Sequence, residues 1–119
     1  PIHMIQTFLP HLEAGKDKKV ISITSKMGSI DDNTSGGSYI YRSSKTALNS
    51  AMQSMRHDLT PQGIATCTLH PGWVRTDMGG PGGWIDVQES VSGMIKVIDQ
   101  LSLKKTGQYI DYAGKIIPW

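Results

Sequence analysis

The sequence predicts an α/β fold, a parallel sheet read as helix-strand-helix-strand-helix-strand. Three observations point there. Stretches with apolar residues at helical spacing alternate with short β-rich runs, the order that right-handed crossovers build into a parallel sheet. The run Val20 to Thr24 is β-branched and bounded by turn residues on both sides, which suits a buried parallel strand. A chain of 119 residues can bury one modest core but cannot hold a sheet of six or seven strands with its helices.

Each element has a local reason. Ile2, Ile5, Leu9 and Leu12 mark one helical face, with Met4 and Phe8 beside it; Pro10 disturbs the ladder and Gly15 stops it. The strand Val20 to Thr24 follows, and Asp31 to Gly37 is turn chemistry without an apolar period, hence a surface loop. The next helix runs from about Ser38 to Leu59. Tyr41, Lys45, Leu48, Met52, Met55 and Leu59 fall on one stripe, expected to pack inward against the sheet. A second stripe, Ala47, Ala51 and Ser54, is small and flat, suited to close helix contact between copies or to packing within the chain. Thr60-Pro61-Gln62-Gly63 ends this helix, and Ile64 to Leu69 forms the next strand. Asp86 with Glu89 three residues later caps a helix carrying Val87, Val91, Met94, Ile95, Ile98 and Leu101. Gly107 to Asp111 is a short final strand.

Composition narrows the function classes. A formal charge of +2, with lysines scattered over loops and helix ends, gives no nucleic-acid footprint. No apolar run approaches the ~20 residues of a membrane span, so no membrane partner is expected. One cysteine, Cys67, excludes an internal disulfide and fits a buried thiol in a reducing, cytoplasmic compartment. His3, His11, His57 and His70 have no metal-ligand spacing, and no G-x-S-x-G elbow is present, so neither a metal site nor serine hydrolysis is expected.

The chemistry concentrates in Ser25, Tyr41 and Lys45. Tyr41 and Lys45 stand one helical turn apart and share a face. A fixed ammonium beside a phenol favours the phenolate, and a tyrosine tuned that way can exchange a proton near neutral pH. Ser25 closes a strand, and His70-Pro71-Gly72-Trp73-Val74-Arg75-Thr76 follows another. In a parallel sheet both segments reach the carboxyl edge, where ligands bind.

The stretch VISITSKMGSIDDNTSGGSYIYRSSK resembles the catalytic segment of short-chain dehydrogenases/reductases, where a serine closing a strand precedes a Tyr-x-x-x-Lys helix. The 71–76 segment resembles the Pro-Gly-x-x-x-Thr turn of the same family. The wording of MGSIDDNTSGG, YRSSKTALN, GWVRTDMGGPGGW and DYAGKIIPW is closest to its C-factor-like carbonyl-reductase branch. The resemblance implies an NAD(P)-dependent oxidoreductase acting on a small carbonyl or alcohol, with NAD or NADP as cofactor. It implies Tyr41 as general acid/base, Lys45 on the nicotinamide ribose and Ser25 on the substrate oxygen. It also implies Pro71, Gly72, Val74 and Thr76 around the nicotinamide and pyrophosphate. Trp73, Met78 and Trp84 flank the glycine-rich stretch 79–83, either as a lid forming a substrate pocket or as loop anchors. The family's G-x-G-x-x-G turn finds no counterpart here. The resemblance therefore implies that residues 1–119 are a single partial domain, the catalytic C-terminal half of a Rossmann-like doubly wound parallel sheet, lacking the N-terminal dinucleotide-binding half and inactive alone. When complete, the protein is expected to form a homodimer or homotetramer. The alternative is a non-catalytic dimerisation or interaction module derived from a reductase scaffold.

Overall fold

The computed structural model describes residues 1–119. Three helices, α1 (Ile2–Ala14), α2 (Tyr39–Leu59) and α3 (Val87–Asp99), alternate with three strands, β1 (Lys19–Ile23), β2 (Ala65–His70) and β3 (Gln108–Asp111). The strands form one parallel sheet in the order β1-β2-β3. The register sets Lys19 opposite Ala65 and Ile23 opposite Leu69, then Cys67 opposite Gln108 and His70 opposite Asp111. All three strands therefore end on one edge, and Thr24 continues the first ladder by donating its N–H to Leu69 O at 2.9 Å.

Alternation along the strands divides the core between the two faces of the sheet. Val20 and Ile64 pack with Met52 and Leu59 of α2, with Ile5, Leu9 and Leu12 of α1 closing that cluster. Cys67, Leu69 and Ile110 pack on the other cluster with Leu101, against Met94, Val97 and Ile98 of α3. The molecule is thus three layers, with α1 and α2 over one face and α3 over the other. No helix is long and apolar enough to cross a membrane.

Local chemistry accounts for the boundaries. Pro10 stays inside α1, whose C-cap Gly15 returns its N–H to Leu12 O. Ser38 enters α2 from a left-handed conformation (φ 47°). Asp86 caps α3 by accepting the Glu89 N–H at 2.7 Å. Gly63, at φ 74°, turns the chain from the 60–62 helical turn into β2.

Three expectations of burial need correction. Tyr41 belongs to the stripe of α2 read as inward-facing, yet it is 43 % exposed, in a first turn where Tyr39 and Ile40 are also exposed. In α3 the residues Val87, Val91 and Ile95 form an exposed stripe, and only the Met94, Ile98 and Leu101 side of the helical pattern meets the sheet. Ile23, read as a buried strand position, is half exposed on the edge strand.

Candidate active site

Residues from the ends of β1 and β2 and from the first turn of α2 enclose a cleft of about 690 Å³. Its position follows from the topology, since every strand delivers its following loop to the same edge.

Ser25 sits at the end of β1 and caps the short 26–28 helical turn. Its Oγ accepts the Met27 N–H at 3.2 Å, while its carbonyl accepts the Gly28 N–H at 2.8 Å and the Tyr109 hydroxyl. The Ser25 hydroxyl proton has no partner in the chain and is free to donate into the cleft. Tyr41 lines the same cleft from across the turn. One turn further along α2, the Lys45 ammonium lies 5.6 Å from the centre of the Tyr41 ring. The carboxylate-paired lysines are Lys19 with Asp17 and Lys26 with Asp32, so the Lys45 charge is directed at no carboxylate. Lys45 does not itself line the cleft; it stands behind Tyr41, against the backbone of Gly28, where an added Cβ would lie 3.0 Å from Lys45 Cβ.

The loop after β2 supplies the other wall. Pro71, Gly72, Trp73, Val74, Thr76, Met78 and Trp84 all line the cleft. Gly72 adopts φ 88° and an added Cβ would fall 2.5 Å from Ile85 Cδ1, so the chain passes here only as glycine. Val74 forms an isolated parallel bridge with Ile85, in which Arg75 N–H donates to Ile85 O at 2.9 Å and Ile85 N–H to Trp73 O. In a parallel bridge the bonds come from the neighbours of the bridging residue, so the N–H and C=O of Val74 itself point the other way. The Val74 N–H finds no acceptor within the chain. The Thr76 Oγ1 accepts the Gly79 N–H at 3.0 Å, closing the turn that follows. Trp73 donates its indole N–H to Gly79 O at 2.8 Å and meets Trp84 edge to face at 5.4 Å. Met78, 94 % exposed, and Trp84, 79 % exposed, cover the mouth.

Two titrating groups at the edge are displaced from their ordinary behaviour. Burial pushes His70 below the usual histidine range, with Asp111 pulling the other way. Its Nδ1 is buried without a partner while the ring lines the cleft, so the proton of the neutral ring belongs on Nε2. Burial raises Tyr109, against the adjacent Asn49 amide, which lowers it.

The comparisons with known proteins agree with this architecture. The sequence pattern of the family described as short chain dehydrogenase matches residues 1–82, and the chain belongs to that family. Over 119 residues it is 48 % identical to the C-signal of Myxococcus xanthus, covering all of this chain and 72 % of that protein. It is 37 % identical to the 1-hydroxy-2-glutathionyl-2-methyl-3-butene dehydrogenase of Rhodococcus sp. (strain AD45), covering all of this chain and 54 % of that enzyme. Among solved structures it superimposes on the carbonyl reductase Sniffer of D. melanogaster with a TM-score of 0.94 at 38 % identity. The NADPH-bound carbonyl reductase from chicken fatty liver follows with a TM-score of 0.91 at 38 % identity. All of this chain matches each, and it spans 52 % of either structure.

Residues that the sequence reading passed over also line the cleft, among them Met27, His70, Val91 and Met94. Their signal was positional: Met27 and His70 lie at strand ends already assigned to the ligand edge, and Met94 and Val91 lie on the helix that follows the loop.

Proposed function

We propose that this chain is the catalytic half of an NAD(P)-dependent carbonyl reductase or alcohol dehydrogenase. A dinucleotide-binding half belongs N-terminal to it in this reading. The observation that carries the proposal is the convergence on one cleft of a serine hydroxyl with a free proton, a tyrosine backed by a lysine ammonium, and an unpaired backbone N–H at Val74.

Those residues fit a nicotinamide. The unpaired N–H of Val74 matches the carbonyl oxygen of a carboxamide, Gly72 and Pro71 shape the backbone beneath the ring, and the exposed Thr76 hydroxyl can bond the carboxamide or pyrophosphate. Lys45 would bond the ribose hydroxyls. When bound, the reduced nicotinamide supplies hydride to the carbonyl carbon of the substrate. Ser25 donates its free hydroxyl proton to the carbonyl oxygen as a hydrogen bond and holds it beside Tyr41. Tyr41 transfers its phenolic proton to that oxygen as the carbonyl π bond opens, leaving a phenolate beside the Lys45 ammonium. Alcohol oxidation runs the same proton transfer backwards. Trp73, Met78 and Trp84 form the substrate side, which favours a small carbonyl or alcohol with an apolar body.

The uncovered face of α2, where Ala47 and Ser54 are exposed, supports a helix-paired homodimer within this proposal. The same face favours the second reading, a non-catalytic dimerisation module. Oxidation of NADPH by a panel of aldehydes and ketones separates the two. With the upstream half present, Ser25→Ala is expected to depress turnover, and a protein inert to the whole panel supports the module instead.

A further inference from the structure

We infer that Tyr109 and Asn49 are positioning residues for Ser25, bracing the 24–28 turn from β3 and from α2 so that the serine hydroxyl is held in register with Tyr41. The inference rests on the catalytic reading of Ser25 given above.

Tyr109 is 1 % exposed, and its hydroxyl reaches across the sheet end to the Ser25 carbonyl. Its ring packs on Trp119 at 5.1 Å, a contact that a phenylalanine would make equally well. The hydroxyl therefore serves the Ser25 carbonyl. Without it the carbonyl keeps only the Gly28 N–H of its own turn and loses its tie to β3, so the bond resists displacement of the turn.

Asn49 holds the same turn from the opposite side. It is 2 % exposed in a helix stripe otherwise filled by Leu48 and Met52. Its Oδ1 accepts the Thr24 hydroxyl at 2.7 Å and its Nδ2 donates to Gly28 O at 3.2 Å. The two bonds straddle Ser25, one just before it and one at the end of its turn. Gly28 has no room to move toward the helix, because an added Cβ would fall 2.9 Å from Asn49 Nδ2 and 3.0 Å from the Lys45 backbone carbonyl carbon. Asn49 lies one turn beyond Lys45 and two beyond Tyr41 on the same face. Rotation or sliding of α2 that moved Tyr41 relative to Ser25 would break both Asn49 bonds. An asparagine in an apolar stripe is a poor helix former, and here its two short hydrogen bonds both go to the serine turn while its amide also lies beside the Tyr109 hydroxyl.

The test compares Tyr109→Phe, Ser25→Ala and their double variant in the protein joined to a dinucleotide-binding half, with NADPH and a carbonyl substrate. Tyr109→Phe is expected to lower kcat about tenfold with the dinucleotide KM unchanged, and the double variant to be no slower than Ser25→Ala alone. Thr24→Val is expected to lower kcat and Thr24→Ser, which keeps the hydroxyl, to retain it. Independently of turnover, amide hydrogen exchange at Met27 and Gly28 is expected to rise about tenfold in Tyr109→Phe while α3 is unaffected. Losses that multiply in the double variant, or a Tyr109→Phe protein with unchanged kcat and exchange, would overturn the brace and leave the catalytic reading standing. A Ser25→Ala protein with full turnover would remove both.

Discussion

Gly79→Ala is a small change with a large expected effect on cofactor recognition. A Cβ at Gly79 would fall 1.9 Å from the Val74 carbonyl oxygen and 3.1 Å from its carbonyl carbon. The obstacle is backbone, so no rotamer change relieves it. Ordinary contact needs a retreat of about 1 Å by Val74 or by the 76–79 turn, and a misplacement of that size in a positioned group costs on the order of a hundredfold in rate. Trp73 indole N–H to Gly79 O and Gly79 N–H to Thr76 Oγ1 tie the two strands of the loop together, so the displacement is carried to Val74 and Thr76. Both apolar clusters lie elsewhere, and the melting temperature is expected to change little. Gly82→Ala is the matched control in the same loop, since its Cβ meets only the Trp73 ring at an ordinary 3.6 Å. In the protein with its dinucleotide-binding half, steady-state kinetics should show a dinucleotide KM raised tenfold or more for Gly79→Ala and unchanged for Gly82→Ala. An unchanged KM in both would refute the assignment of the Val74 backbone to the nicotinamide.

Three further outcomes are expected. His70 has a folded-state value below the ordinary 6.5, so the unfolded chain binds more protons and stability declines as pH falls below about 6.5; His70→Gln should flatten that part of a melting-temperature profile, and an unaltered slope would contradict it. Burial pushes the Cys67 thiol up to about 12, so a disulfide-exchange reagent at pH 8 should find no reactive thiol in the folded chain and one after denaturation; prompt labelling of the native chain would contradict the packing of β2. Residues 1–119 alone should show negligible affinity for NADPH by calorimetry, because the proposed pyrophosphate and adenosine contacts belong to the other half; micromolar binding would refute that division of labour.

Much of the fold was legible because its signals are local. A β-branched run between turns, helical spacing and an Asp-x-x-Glu cap place each element within about two residues, as the Asp86 cap on α3 shows. Parallel strand direction followed from alternation alone, and with it the edge on which Ser25 and Pro71 meet. What periodicity does not carry is the extent of cover. It groups Tyr41 with Met52 but cannot say that the first turn of α2 is exposed, nor that Val87, Val91 and Ile95 are left uncovered. Lys45, read together with Tyr41 and Ser25, proves to stand behind the tyrosine outside the cleft lining. Asn49 and Tyr109 carried no motif at all, since their role depends on partners 25 and 84 residues distant in the chain. A buried amide in an apolar stripe was the one available hint, and its meaning appears only when Thr24 and Gly28 are brought to it.

The central claim is that Tyr41 transfers the proton. Tyr41→Phe keeps the ring beside Lys45 and the wall of the cleft while deleting that proton. Turnover of a carbonyl substrate at saturating NADPH, in the protein with its dinucleotide-binding half, is expected to fall on the order of a hundredfold or more with the dinucleotide KM retained. A Phe variant with full turnover would contradict the mechanism.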